Sequence, residues 1–239
     1  MITRHHISLA FGSMLILYFP LVSVNPVVLA VIALGVCTVA VLPDIHMKKP
    51  TGFRALTVVW FLIQIFRKTV ISFYLLLFRH VFRMQPEEDK RLTHSLPGLL
   101  YLTGLIGVGI ALLMHAYPAY PDLLYPRMFL AGIIIGLLFH FVEDCCTKKG
   151  LVPLYPFNES YRIAGNIRPC NTEDSRIRQF HFQALVILAA IVLLYATGLC
   201  PEFLKWPVSI AALITWIAVM FYSAEVRITG SPKPSEPAS

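Results

Sequence analysis

Long apolar runs separated by short polar or proline-containing segments dominate the sequence. A membrane-spanning helix needs about 20 mostly apolar residues. Six runs meet or approach this length, at 7–24, 27–42, 96–117, 124–142, 180–199 and 206–222. Pro20, Asn25 and Pro26 indicate a tight turn between the first two runs, and the Tyr- and Pro-rich segment 117–121 indicates an interfacial turn. The pattern therefore predicts an all-α integral membrane protein of about six antiparallel transmembrane helices.

The segment 52–83 has a different pattern. Arg67 and Lys68 divide it into apolar pieces that are too short to cross a bilayer. At 100° per residue, a set of polar and basic positions shares one broad arc. These are Arg54, Gln64, Lys68, Ser72, Arg79, His80 and Arg83. We predict an interfacial amphipathic helix between transmembrane helices 2 and 3, with a re-entrant hairpin as the alternative.

Composition and charge place this helical body in a membrane. The chain is 57% hydrophobic and 14% charged, whereas charged residues make up about a quarter of a typical soluble domain. Of the 20 Lys and Arg residues, only Arg127 and Lys205 fall on the far side of the predicted topology. For a multi-pass protein of a bacterial or archaeal inner (plasma) membrane, this asymmetry predicts that the near side is cytoplasmic. Both termini and the loop 151–179 are expected in the cytoplasm, and no nucleic acid partner is expected.

The remaining organisation follows from short local signals. One membrane domain is predicted over 1–229, followed by a disordered Pro- and Ser-rich tail at 230–239. The N-terminus has no A-x-A cleavage site, so the first helix is expected to be retained. Five cysteines show no C-x-x-C pair, which excludes a zinc ribbon and does not indicate a disulfide scaffold. They are Cys37, Cys145, Cys146, Cys170 and Cys200.

Imidazole and carboxylate side chains collect at the predicted cytoplasmic helix ends. Ionisable residues near membrane depth are costly and often functional. The four groups are His5 and His6, Asp44 and His46, Asp89 and His94, and His140 and Asp144. The alternating topology brings all four to one level, where nitrogen and oxygen donors favour a divalent metal.

Each group also has a structural explanation. An i, i+4 pair such as His140 and Asp144 is frequent by chance, and Asp44 with His46 is also typical of a polar helix end. His94 fits an N-terminal cap in which Thr93 or Ser95 is the capping residue. The convergence of all four groups, rather than any one of them, favours a metal site.

Three strings resemble the bacterial membrane-bound metal-dependent hydrolase family that is described as LexA-regulated. They are LPDIHMKK at 42–49, RLTHSLPG at 91–98 and GLLFHFVEDCCTKKGLVPLYPF at 136–157. The resemblance implies metal ligands at His6 or His5, Asp44, His94, His140 and Asp144. It implies that Thr147, Gly150 and Pro156 shape the loop after the fourth helix, and it places Glu173 at an acidic position of the family.

Two positions depart from the family pattern. His46 replaces the second Asp of an L-P-D-x-D-H element, and Met47 follows it in place of His. Asp89 and Lys90 replace a His-Arg pair. The exchange keeps the number of nitrogen and oxygen donors, so His46 and Asp89 are included as metal ligands.

Such a donor set predicts a metal-dependent hydrolase. A divalent ion, Zn²⁺ or Mn²⁺, as one ion or as two, would activate water for attack. Asp144 and His94 are assigned to the reacting centre, together with Glu173. Glu143 is either the general base or a solvated interfacial carboxylate. Four arginines are either a phosphate clamp or a consequence of positive-inside topology, namely Arg162, Arg168, Arg176 and Arg178.

The predicted reaction is cleavage of a phosphoester in a lipid or lipid-linked substrate. A metal-dependent deacylase and a non-catalytic metal-binding or transport protein are the alternatives. Gly132 with Gly136, and a set of glycines in the third helix, predict close helix packing, and a homo-oligomer is compatible with them. That set is Gly104, Gly107 and Gly109. The histidines outside the convergent set are assigned to interfacial anchoring, namely His80, His115 and His181.

Overall fold

The structure is a computed structural model that describes residues 3–22, 25–39, 72–82, 89–116, 124–168 and 174–230. It is mostly helical, which confirms the predicted all-α membrane class. Each of the six predicted spans coincides with a helix. The helices are α1 (Thr3–Tyr18), α2 (Pro26–Val39), α3 (Ser72–Phe82), α4 (Asp89–Thr93), α5 (Leu96–Ala116), α6 (Leu124–Cys145), α7 (Arg176–Ala196) and α8 (Lys205–Ser223), with 3-10 turns at Phe19–Leu21 and Glu202–Leu204.

Four of these helices are long and apolar enough to cross a bilayer. They are Leu96–Ala116, Leu124–Cys145, Arg176–Ala196 and Glu202–Ser223. The first two helices are shorter, with 16 and 14 residues. At 1.5 Å per residue they extend about 24 and 21 Å, less than the ~30 Å hydrocarbon core. The number of crossings therefore stays a prediction, although each of the six runs is helical over most of its described residues.

Asn25 begins α2. Its side-chain oxygen accepts hydrogen bonds from the backbone N–H groups of Val27 and Val28, both at 3.1 Å. Pro26 occupies the first helical position, where the missing N–H costs nothing. The predicted turn between the first two helices thus ends in the N-terminal cap of α2.

Helices α2 and α6 pack with their backbones in contact through three glycines. A Cβ atom on Gly132 would lie 2.1 Å from the carbonyl oxygen of Ile32, and one on Gly35 would lie 2.4 Å from that of Phe129. Gly136 is similarly enclosed by Val36 and Val39. The G-x-x-x-G element of α6 therefore packs against α2 of the same chain, which confirms the predicted close packing.

The glycines of α5 have more open surroundings. Among the described residues, no heavy atom lies within 4 Å of the Cβ position of Gly104 or Gly109, and Gly107 meets only Leu130 at 3.6 Å. Close packing through Gly104 and Gly109 therefore does not involve another described helix, and it stays a prediction. Their side of α5 faces away from the neighbouring described helices.

Helix α1 forms the centre of the bundle, because it packs against α2, α6, α7 and α8. Its buried residues Leu9 and Met14 belong to a core that also contains Trp216 of α8. The Trp216 ring stacks on Phe139 of α6, with ring centroids 5.0 Å apart. This packing fixes the N-terminus of α1 beside the C-terminal end of α6.

A second, smaller core lies around α5. Leu75 and Phe78 of α3 are buried in it, and the Phe78 ring meets Tyr101 of α5 edge-on at 4.6 Å. Within the segment 52–83, the described residues 72–82 are thus helical and pack against α5. The choice between an interfacial helix and a re-entrant hairpin depends on residues outside the described ranges.

Two short strands form a ribbon that the pattern did not predict. Strand β1 (Tyr161–Ala164) pairs antiparallel with β2 (Arg227–Gly230), with Tyr161 opposite Gly230 and Ala164 opposite Arg227. The loop 151–179 therefore contains regular structure, and Gly230, assigned to the tail, is the last residue of a strand. Residues 231–239 lie outside the described ranges.

Candidate metal centre

The last turns of α6 carry His140 and Asp144. Because four residues complete about one helical turn, the two side chains lie on the same face. Nε2 of His140 is 3.5 Å from Oδ2 of Asp144, and the His140 side chain is buried. The predicted i, i+4 pair is thus formed at the C-terminal end of α6.

Helix α1 adds His6 to this pair. The His6 ring stacks on His140, with centroids 4.4 Å apart, and is 1% exposed. Among the described residues, one group of His, Cys, Asp or Glu can hold a metal ion, and it consists of His6, His140 and Asp144. Their candidate ligand atoms lie within 4.8 Å of one another.

The start of α5 adds His94. Nε2 of His94 is 3.4 Å from Oδ2 of Asp144, and its ring centroid is 5.4 Å from that of His140. Ser95 is the cap of α5, since its hydroxyl accepts the N–H of Gly98 at 3.1 Å. The capping role therefore belongs to Ser95, and His94 faces the other histidine and the carboxylate.

Thr147 and Gly150 hold the loop after α6 in place. The Thr147 hydroxyl donates to the carbonyl of Asp144 at 2.9 Å and accepts the N–H of Gly150 at 3.1 Å. Gly150 has φ +56°, and a Cβ there would lie 2.1 Å from the carbonyl oxygen of Ile163. The D-x-x-T-x-x-G element is therefore a motif that ends α6. It needs a hydroxyl at position 147 and a glycine at position 150.

The same loop connects α6 to α5. The N–H of Leu96, at the start of α5, donates to the carbonyl of Pro153 at 2.8 Å. The backbone thus joins the helix end that carries Asp144 to the helix start that carries His94. The structure in this way explains why His94 and Asp144 meet despite their separation in the sequence.

Glu143 is buried beside the cluster. Its side chain is 0% exposed, and its Oε2 lies 2.5 Å from Nδ1 of His6. The interpretation of Glu143 as a solvated interfacial carboxylate is therefore wrong, because α1 packs over this face of α6. Its suggested role as a general base stays a prediction.

His5 takes a different direction from His6. Its ring meets His181 of α7 edge-on, with centroids 5.6 Å apart. Nε2 of His181 is 2.6 Å from the Ser8 hydroxyl, and its Nδ1 is 2.8 Å from the carbonyl of Ile177. Of the two neighbouring histidines, His6 thus lies in the cluster, whereas His5 and His181 lie at the α1–α7 contact.

Several predicted site residues are beyond what the structure describes. Asp44, His46 and Glu173 lie outside the described ranges. Asp89 begins α4, but its side chain also lies outside the described part. Their assignment to the metal or the reacting centre stays a prediction.

The two cysteines next to Asp144 do not join the cluster. Cys145 and Cys146 are buried free thiols, and neither belongs to the group that can hold a metal. Burial raises the pKa of the Cys146 thiol, which keeps it neutral and unreactive. Their burial makes both of them packing residues.

The four arginines of the predicted clamp have different environments. Arg176 donates to both carboxylate oxygens of Asp174 at 2.8 Å, and this hydrogen bonding lowers the pKa of Asp174 to about 2. Arg162 reaches the carbonyl of Lys148 at 3.4 Å. The side chains of Arg168 and Arg178 are exposed. Arg176 is thus held in a structural ion pair, which argues against its part in a phosphate clamp.

The donor set fits a divalent transition metal. Ligand atoms that each lie about 2.1 Å from one tetrahedral ion are on the order of 3.4 Å apart. The distances from His94 and His140 to Asp144, 3.4 and 3.5 Å, match this spacing. Imidazole nitrogens with a carboxylate suit zinc better than magnesium or calcium, which prefer oxygen ligands.

Comparison with known families extends the resemblance beyond the three strings. The family model of the YdjM inner membrane protein matches residues 1–229, which include every described helix. The chain belongs to the YdjM inner membrane protein family. The family resemblance expected from the motifs is thereby confirmed, and with its apolar helices this YdjM family member is a multi-pass inner membrane protein. No curated protein and no solved structure matches the chain.

Proposed function

We propose that this YdjM family member is an integral membrane metal-dependent hydrolase with its His/Asp centre at the cytoplasmic interface. Its proposed substrate class is a phosphoester of a lipid or of a lipid-linked compound. The observation that carries the proposal is the group of His6, His140 and Asp144, with His94 3.4 Å from Asp144. These residues come from α1, α6 and the turn before α5. Residues so far apart in the sequence do not converge through local packing alone.

The same four side chains would hold the ion. A bound Zn²⁺ or Mn²⁺ supplies a Lewis acid and lowers the pKa of a coordinated water toward neutrality. The chain contributes three imidazoles and one carboxylate, and its buried surroundings strengthen their electrostatic effect. Whether one ion or two bind depends on donors such as Asp44 and His46 outside the described ranges.

The position of the centre supports an interfacial substrate. His6 lies near the start of α1, His94 directly precedes α5 and Asp144 lies near the end of α6. These positions at helix ends support a site at membrane-surface depth. A lipid headgroup reaches this depth without leaving the bilayer. Lys148 and Lys149 are exposed directly after α6, and cations at this place would favour a phosphate-bearing headgroup.

The non-catalytic alternative makes a different structural prediction. A transporter is expected to have ionisable side chains or broken helices near the bilayer midplane. In the four long described helices, Asp, Glu, Lys, Arg and His occur only near the ends. This distribution favours chemistry at the surface over transfer through the bundle.

The test is hydrolysis by the purified protein in lipid nanodiscs. We expect phosphate release from a phosphomonoester lipid such as phosphatidate, its loss on chelation, and its recovery with Zn²⁺ or Mn²⁺. His140→Ala should abolish release, whereas His181→Ala, which changes a helix-end histidine outside the cluster, should retain it. Fatty acid release without phosphate release would overturn the phosphoester assignment in favour of a deacylase. A metal-loaded protein inactive on both bond types would overturn the hydrolase assignment.

A further inference from the structure

We infer that Glu143 is a positioning residue that orients His6 toward the metal centre. Oε2 of its carboxylate lies 2.5 Å from Nδ1 of His6, and this contact directs Nε2 of His6 to the ion. This inference rests on the proposed metal centre and deepens it. It concerns a side chain next to, but not within, the cluster of candidate ligands.

Neighbouring carboxylates of α6 serve different partners. Consecutive residues of a helix are rotated by about 100° from each other, so Glu143 and Asp144 face different directions. Asp144 faces His94 and His140, whereas Glu143 faces α1 and contacts Nδ1 of His6 at 2.5 Å. The two adjacent acids can therefore perform separate tasks, one toward the ion and one toward a ligand.

The contact determines which nitrogen of His6 is available. A neutral imidazole has one N–H donor and one acceptor nitrogen. Because a carboxylate has only acceptor oxygens, its contact with Nδ1 stabilises the tautomer with the proton on Nδ1. The lone pair is then on Nε2, which is the form that binds a metal. A carboxylate that contacts the other nitrogen of a metal-binding imidazole also makes that imidazole a stronger ligand.

His94 has the same arrangement with a different partner. Its Nδ1 lies 3.0 Å from the Thr93 hydroxyl, and its Nε2 faces Asp144 at 3.4 Å. In both histidines a neighbouring side chain contacts Nδ1. This repetition supports an orienting role for Glu143 rather than a chance contact.

The burial of Glu143 adds to the argument. A fully buried carboxylate is costly unless a close partner compensates for its lost hydration. Glu143 is 0% exposed and meets the equally buried His6. Retaining an acid at such a position is reasonable if the acid sets the orientation of a ligand.

The experiment is a titration with Co²⁺, whose visible absorption reports both affinity and ligand set. Wild type, Glu143→Gln and Glu143→Ala are compared in detergent, with Glu159→Gln as the control for loss of an exposed carboxylate. We expect Glu143→Ala to raise the Kd for Co²⁺ by about 10- to 100-fold with an unchanged band pattern. Glu143→Gln should lose less, because its amide oxygen still accepts from Nδ1–H. Glu159→Gln should bind like wild type.

Three outcomes would overturn the inference. Wild-type affinity in both Glu143 variants would show that Glu143 does not orient His6, even if turnover is lost, as expected for a general base. A changed band pattern would show that Glu143 is itself a ligand. Absence of Co²⁺ binding by wild type would overturn the metal centre itself, and the inference with it. Thermal unfolding of the metal-free proteins checks their folding, and Glu143→Gln provides the test if Glu143→Ala is unfolded.

Discussion

Replacing Gly132 by alanine tests the helix contact that positions the metal-bearing end of α6. The Cβ atom would lie 2.1 Å from the carbonyl oxygen of Ile32, where ordinary contact begins at 3.4 Å. The atom it meets belongs to a helix backbone and cannot rotate away. Helices α2 and α6 must therefore separate by about 1 Å, which weakens the neighbouring contacts at Gly35 and Gly136.

The matched control is Gly109→Ala on α5, where no heavy atom of a described residue lies within 4 Å of the new Cβ position. In open space, alanine is better than glycine in a helix by up to about 1 kcal/mol. Overpacking a tight contact typically costs about 1–3 kcal/mol. We therefore expect Gly109→Ala to be neutral or stabilising and Gly132→Ala to be destabilising. The difference in free energy of unfolding should be about 2 kcal/mol or more.

Native cysteines provide the assay. Cys145, Cys146 and Cys200 are buried, so a thiol-reactive dye reports their exposure as the detergent-solubilised protein is heated. A difference of about 2 kcal/mol corresponds to roughly 4–8 °C between the two variants for a chain of this size. Equal unfolding midpoints for Gly132→Ala and Gly109→Ala would refute the close packing of α2 on α6.

Three further predictions concern single side chains. The pKa of Asp174 is lowered to about 2, so its pairing with Arg176 stabilises the fold fully above about pH 4. This contribution, on the order of 2 kcal/mol, is lost as the pH falls toward 2. Thermal unfolding from pH 5 to pH 2.5 should show this loss in wild type and not in Asp174→Asn. His6→Ala should lower metal content in plasma emission spectrometry, whereas His5→Ala should not; equal losses would contradict the different orientations of the two rings. Ser95→Ala should cost about 1 kcal/mol of unfolding free energy, because the N–H of Gly98 loses its acceptor; an unchanged unfolding midpoint would rule out this cap.

Much of the helical framework could be predicted because the bilayer imposes a length and a polarity on each span. The runs at 96–117 and 124–142 agree closely with the helices Leu96–Ala116 and Leu124–Cys145. The alternation of antiparallel helices also predicts that His94 and Asp144 lie at one level, as their contact requires. These features depend on hydropathy and topology alone.

Features that depend on how one helix is rotated against another could not be predicted. His5 and His6 differ by only about 100° around α1, and the packing of α1 on α6 determines that His6 meets His140. The burial of Glu143 has the same origin. Neither residue type nor spacing reveals which side of a helix end a neighbour will cover.

Long-range and very local features were also hidden. Strands Tyr161–Ala164 and Arg227–Gly230 have four residues each, so no alternating run is long enough to reveal them. Helices α7 and α8 separate the two strands in the sequence, so their pairing is long-range. The pairing of Asp174 with Arg176 depends on the path of the loop before α7. From the sequence, Arg176 is one of several equivalent basic residues.

Metal content of the purified protein tests the central claim most directly. Plasma emission spectrometry of wild type, His140→Ala and Asp144→Ala compares stoichiometric binding with the loss of one ligand, and His181→Ala controls for removal of a helix-end histidine. We predict bound zinc or manganese in wild type and His181→Ala, and strong depletion in the two cluster variants. Undiminished stoichiometric metal in both His140→Ala and Asp144→Ala would contradict the assignment of this cluster as a metal centre.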